Sequence, residues 1–254
     1  MPQILVGDLN VHYELKGNGD PLLMIMGLSF SLLDWGDELP NELAKQYQVI
    51  LFDNRDAGQT KSSSVKNYTI ADLADNAAGL LKELGIKQAH VFGVSMGGMV
   101  AQQFALRHPD KLNKLVLGCT MAGGACSIPA NLANLVGGSL LDFLFTSSYL
   151  ADPDNKKKAQ EFLAKTSLFH SKEDGFIRQM KAIASHDICN VLPDIKALTL
   201  VITGDSDVAI PPENSDVLVQ KISGAKLAMI KGAAHGFPYS HAPEAVKLLT
   251  DFLS

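Results

Sequence analysis

The sequence predicts an α/β fold: a mostly parallel central sheet with helices on both faces, interrupted by an inserted all-helical unit. Three observations carry this expectation. Short continuous apolar runs of strand length alternate with longer stretches of helical periodicity, the pattern of strands buried on both faces with helices between them. One such run, Ala89-His90-Val91-Phe92-Gly93-Val94, passes through Ser95-Met96-Gly97 directly into the helical stretch Met99–Leu106. Finally, from about Thr120 to Pro193 no strand-like run occurs, only three helical stretches over 131–145, 155–169 and 172–186. The expected division is a core of residues 1–119 and 194–254, with residues 120–193 as the insertion.

In chain order, Ile4-Leu5-Val6 and Val11-His12-Tyr13-Glu14-Leu15 flank Gly7-Asp8 and read as a β-hairpin, with His12 at a partly exposed strand position. Leu22-Leu23-Met24-Ile25-Met26 reads as a buried strand ended by Gly27, and Val49-Ile50-Leu51-Phe52 as another. Between them a helix is expected near 37–46, its regular part after Pro40. Asp53-Asn54-Arg55-Asp56-Ala57-Gly58 forms a tight charged loop, in which Arg55 is expected to pair with Asp53 or Asp56. Residues 69–84 are amphipathic and Gly85 suits a C-terminal cap. Leu115-Val116-Leu117-Gly118-Cys119 and Ala197–Thr203 are further strands. The end of the chain reads as helix 213–222, strand 226–230, a loop through His235, and an amphipathic helix 242–253.

The 254 residues, 46% hydrophobic and 19% charged, suffice for a substantial core. A net charge of −5 disfavours nucleic acid or an acidic membrane surface as partner, because both require a basic face. Lys156-Lys157-Lys158 reads as a solvated helix face. Cys119, Cys126 and Cys189 are odd in number and lack metal-ligand spacing, so neither a disulfide framework nor a metal site is expected. No basic-then-apolar leader and no membrane-length apolar run occur, so a cytoplasmic protein is expected, monomeric or homodimeric, without nucleic-acid or membrane partners.

The chemistry concentrates at Gly93-Val94-Ser95-Met96-Gly97. A serine in a sharp strand-to-helix turn takes a strained backbone, and its neighbours two residues away approach too closely for side chains. The helix start supplies unpaired N–H groups, that of Met96 foremost, for an oxyanion formed beside the hydroxyl. By chance this glycine-serine-glycine pattern is expected about 0.1 times in a chain of this length, so context must support it. Asp207 and His235 lie on later loops at strand C-termini, where chemistry gathers in an open α/β sheet. Histidine is suited to take the serine proton, and a carboxylate to fix its tautomer. Asp205 competes with Asp207 for that role.

On these residues the chain resembles the α/β-hydrolase superfamily over essentially its whole length, with residues 120–193 in the position of the helical cap. Gly93-Val94-Ser95-Met96-Gly97-Gly98 resembles the nucleophile elbow, Gly204-Asp205-Ser206-Asp207 the acid loop, and Ala234-His235-Gly236 the histidine loop. The resemblance implies Ser95, Asp207 and His235 as catalytic residues, the backbone N–H groups of Leu28 and Met96 as oxyanion donors, and no cofactor or metal. Two departures stand out. Met26-Gly27-Leu28 replaces the His-Gly that many members carry after the third strand, and Asp56 stands where glycine is common, as in a bacterial subgroup of small esterases and lactonases. Serine at the elbow argues against the dehalogenases and epoxide hydrolases, which use aspartate there.

The expected activity is hydrolysis of a small-molecule carboxylic ester or lactone, with Phe30, Trp35, Phe237, Leu28 and Met96 lining an apolar pocket. Carbon–carbon bond hydrolysis and cofactor-free perhydrolysis use the same triad and remain alternatives. A ligand-sensing module with little turnover is the alternative of another class.

Overall fold

In the computed structural model residues 2–64, 66–130 and 138–254 are described. The sheet runs β1 (Gln3–Val6), β2 (Leu9–Lys16), β4 (Tyr47–Phe52), β3 (Asp20–Ile25), β6 (Ala89–Val94), β7 (Leu112–Gly118), β8 (Thr199–Gly204), β9 (Lys226–Ile230), with the two-residue β5 (Lys61–Ser62) on β2. From β4 onward every pairing is parallel, whereas β2 is antiparallel to β1, β4 and β5. This is the α/β sheet that the sequence predicts.

Alternation along the central strands divides the interior into two layers. Leu23, Ile25, Val91, Leu115, Leu117 and Val201 face one side, where α2 (Ile70–Glu83), α3 (Met96–Arg107) and α8 (Glu213–Lys221) pack. Leu22, Met24, Phe92, Val116, Leu200 and Ile202 face the other, covered by α1 (Glu38–Leu43) and α10 (Ala242–Leu253). Both faces exclude water, which is why these strands read as unbroken apolar runs rather than as alternating ones. α2 begins at Thr69, whose side chain accepts from Asp72 N while the Asp72 carboxylate accepts from Thr69 N, a reciprocal cap.

Between β7 and β8 lie α4 (Leu140–Leu144), α5 (Ser147–Leu150), α6 (Pro153–Thr166) and α7 (Glu173–Ala184). Of the helix expected over 131–145, residues 131–137 lie outside the described residues. Leu144, Phe145, Ala159 and Leu163 form a small apolar cluster of their own, which reaches the sheet portion through Phe30 and Tyr239. α9 (Phe237–Ser240) is a single turn between the His235 loop and α10.

Several expectations need correction. Cys126 and Cys189 form a disulfide with Cα atoms 5.9 Å apart, joining residues just after β7 to the return toward β8. Counting cysteines could not reveal it, since the fold makes neighbours of residues 63 positions apart. His12 is buried, not partly exposed, and its Nδ1 lies 2.7 Å from Asp53 Oδ2. Arg55 pairs with Asp8 rather than within its own loop, while Asp56 is engaged by Arg178 of α7. Helix α1 starts before Pro40, which sits in its first turn, where a missing N–H costs nothing.

Candidate active site

Ser95 joins β6 to α3 with φ 56° and ψ −124°, a left-handed conformation costly for any residue with a Cβ. It is held there by Ser95 N donating to Gly118 O at 2.9 Å and by Thr120 Oγ1 donating to Ser95 O at 2.7 Å. The crowding inferred from the sequence is present: a Cβ on Gly93 would strike the Gly97 carbonyl, and one on Gly97 the Ile25 carbonyl. Gly27 packs from the opposite side, where a Cβ would stand 3.1 Å from Ser95 Cβ and 3.6 Å from its Oγ. The loop after β3 therefore lies directly against the serine. Met96 N opens α3 and has no acceptor within the helix.

Asp207 follows β8, and its Oδ1 accepts from Ala209 N at 2.8 Å and Ile210 N at 3.0 Å. Those two bonds orient Oδ2, which lies 2.8 Å from His235 Nδ1. Asp205 is turned to solvent, where it accepts from Gly232 N and Ser206 Oγ. The His235 imidazole is buried, with the Phe143 ring edge-on at 5.2 Å. Burial disfavours the imidazolium, but the Asp207 carboxylate, assisted by the Cys119 side chain, outweighs it and raises the His235 pKa well above its ordinary value. Among the described residues, Cys119, Asp207 and His235 are a Cys/Asp/His group whose donor atoms all lie within 4.8 Å of one another. Asp207 and His235 spend their facing atoms on each other, which leaves little of that set for a metal.

Ser95 and His235 open onto one cavity of about 560 Å³, with Asp207 behind the imidazole. Leu28 and Phe30 of the loop after β3 line it, as do Phe143, Leu144, Phe145, Phe162 and Phe176 of the segment between β7 and β8. Trp35 and Phe237, expected to line the pocket, do not: both are fully buried in the sheet layer, where Trp35 packs on Phe92 at 5.2 Å. The Met96 side chain likewise points into the core, leaving only its backbone toward the serine bend. Bulky apolar residues near an elbow fill core and cavity wall alike, and sequence pattern does not tell the two apart.

Sequence reasoning assigned none of four polar residues, Asn54, Asp34, His170 and Gln179, to the site. Asn54 Nδ2 donates to Met26 O at 3.0 Å. His170 Nε2 lies 3.0 Å from Asp34 Oδ1 on the cavity wall, its ring stacked on Phe30. Gln179 of α7 is fully buried, and its Oε1 accepts from Ser29 N at 2.6 Å. The one available signal for it was a polar residue on the buried stripe Gly175, Gln179, Ala182 of an amphipathic helix.

Comparison with known proteins agrees with this architecture. A profile of the alpha/beta hydrolase fold matches residues 20–242. RutD of Stutzerimonas stutzeri, named provisionally as a carbamate hydrolase, is 26% identical over 96% of this chain and 97% of its own. The serine hydrolase BPHL of Homo sapiens is 25% identical over 99% of this chain and 85% of its own. The crystal structure of the enol-lactonase from Burkholderia xenovorans LB400 superimposes with a TM-score of 0.85 at 27% identity, covering 99% of each chain. By its sheet order, its strained serine bend and the match over most of its length, the chain belongs to the α/β hydrolase fold family and is a hydrolase.

Proposed function

We propose that this protein is a serine hydrolase of small, uncharged carboxylic esters or lactones. The observation that carries the reading is a strained serine and an aspartate-paired histidine opening on one largely apolar cavity. Ser95 Oγ attacks the substrate carbonyl as its proton passes to His235 Nε2. Asp207 accepts from His235 Nδ1–H, which keeps Nε2 available as a base and stabilises the imidazolium that forms. The N–H groups of Met96 and Leu28 receive the oxyanion. Collapse of the tetrahedral intermediate transfers the proton from His235 to the departing alkoxide and leaves acyl-Ser95. Water, giving its proton to His235, then attacks the acyl carbonyl, and His235 returns that proton to Ser95 Oγ as the acid departs.

The preference for neutral substrates follows from the wall. No lysine or arginine lines the cavity among the described residues, whereas Asp34 and Asp142 do, so the wall offers an anionic acyl group no permanently charged cation. In this reading residues 120–193 act as a cap whose aromatic side chains close the acyl side. The 27% identity to an enol-lactonase is consistent with a cyclic or linear ester.

A fluorophosphonate probe tests the nucleophile. Wild type is expected to label and Ser95→Ala to lose both label and at least about 10³-fold in ester hydrolysis. Equal labelling of the two overturns the assignment. A panel of esters, lactones, carbamates and diketones, with products identified by mass, tests the bond; turnover of diketones or carbamates with every ester inert moves the activity to another bond.

A further inference from the structure

The loop after β3 carries Leu28, yet it lacks the histidine expected to brace it. Its two flanks are held by the sheet portion: Met26 O accepts from Asn54 Nδ2, and beyond the loop Leu32 N donates to Asp53 Oδ1 at 2.7 Å. Its middle is held differently. Ser29, at φ 70°, occupies the left-handed region, and both of its backbone polar groups are bonded to the segment between β7 and β8. Ser29 N donates to Gln179 Oε1 at 2.6 Å, and Ser29 O accepts from Ser171 N at 2.8 Å. A non-glycine residue in that conformation persists only where its surroundings over-determine it, and here those surroundings are two residues of another segment.

Gln179 is itself fixed. Its Nε2 donates to Arg55 O at 2.9 Å, so the amide bridges the loop after β4 and the loop after β3 with one donor and one acceptor. The adjacent Arg178 forms a two-pronged pair with Asp56, at 2.7 and 2.9 Å, and a Cβ on Gly175 would stand 2.8 Å from Asp56 Cβ, so α7 lies close on this loop. The amide can therefore set the Leu28–Ser29 peptide, one peptide unit from the Leu28 N–H.

We propose that Gln179 is a positioning residue for the reaction: by bridging Ser29 N–H and Arg55 C=O it aims the Leu28 N–H at the oxyanion, so the donor set is complete only while α7 is docked. This rests on the reading of Leu28 as an oxyanion donor. Displacement of a preorganised donor weakens the transition state more than the ground state, so the loss falls on kcat rather than on KM.

The test is steady-state hydrolysis of a neutral p-nitrophenyl ester by wild type, Gln179→Met, Gln179→Glu, Arg178→Met and Ser95→Ala. Gln179→Met keeps volume and loses both bonds; kcat is expected to fall about 10- to 100-fold with KM within about threefold, since removing a donor outright costs about 10²–10³. Gln179→Glu, held as a neutral carboxyl by burial against the Arg55 carbonyl, keeps an acceptor for Ser29 N–H and a donor for Arg55 O and is expected to restore kcat to within about threefold of wild type. Arg178→Met removes the Asp56 pair but leaves both Gln179 bonds, and with them the docked α7, in place; it is expected to keep kcat within about threefold while lowering Tm. The proposal is overturned by wild-type kcat in Gln179→Met, by an equal kcat loss in Arg178→Met, or by a tenfold or greater loss in Gln179→Glu. The last outcome decides alone if Gln179→Met does not fold. An inert Ser95→Ala beside a fully active Gln179→Met overturns the role of Gln179 only; an active Ser95→Ala overturns the reading of the site and this proposal with it.

Discussion

Removing the Cys126–Cys189 bridge, by Cys126→Ser together with Cys189→Ser, is expected to destabilise the fold through its unfolded state. The bridge spans a sequence separation of 63 residues that includes the helices α4 to α7. Freeing a loop of that length restores denatured-state entropy worth about 4 kcal/mol at 25 °C by the chain-entropy relation. For a chain of this size each kcal/mol moves the melting midpoint by about 2–4 °C, so a fall of roughly 8–16 °C is expected. Calorimetry or circular dichroism of the wild type and the double variant reads it directly, and wild type in reductant should follow the variant. Thiol titration of denatured, non-reduced protein should count one thiol, that of Cys119. A midpoint shift below about 2 °C, or three titrating thiols, would refute the reasoning.

Asp207→Asn is expected to lower kcat by about 10³–10⁴-fold. In wild type, kcat/KM should rise with pH through a midpoint above the ordinary histidine value of about 6.5, because Asp207 overcomes the burial that opposes the imidazolium. An ascending limb at or below 6.5 in wild type, or the same midpoint in both proteins, contradicts this. The same shift has a stability consequence of fixed sign: a folded pKa above the unfolded one contributes stability fully present below about pH 6.5 and lost as pH rises through the folded value, so the stability gap between wild type and Asp207→Asn should narrow as pH climbs. For Asp56 and Arg178, a double-mutant cycle to alanine in urea at pH 7 should return a coupling of about 1–3 kcal/mol, the range for a two-pronged, partly buried pair; below about 0.5 kcal/mol the clamp on α7 is not energetic. Burial acts against the Asp56 carboxylate, yet Arg178 and Tyr68 hold its pKa below the usual range, so the coupling should persist above about pH 4 and fade only as pH falls through the depressed value.

Read alone, the chain already determined the sheet, the layers around it and the serine bend. These are set by local and near-local rules: apolar runs of strand length, the glycine at 85 that ends the amphipathic stretch 69–84, and glycines where the Ser95 turn leaves no room for a Cβ. The loops bearing Asp207 and His235 followed from where strands end. What only the tertiary structure decided lies between segments distant in sequence. It supplied the reason Asp207, the aspartate already implied by the resemblance, and not Asp205 meets His235: two backbone N–H groups turn the Asp207 carboxylate inward and leave Asp205 with solvent. It withdrew Trp35 and Phe237 into the core and brought Phe143, Phe145 and Phe176 to the cavity in their place, since an apolar side chain carries no mark of which surface it will cover. It joined Cys126 to Cys189 and laid Gln179 against Ser29, 150 positions away. Periodicity encodes which face of an element is buried; the partner that face meets is fixed by the three-dimensional route of the chain.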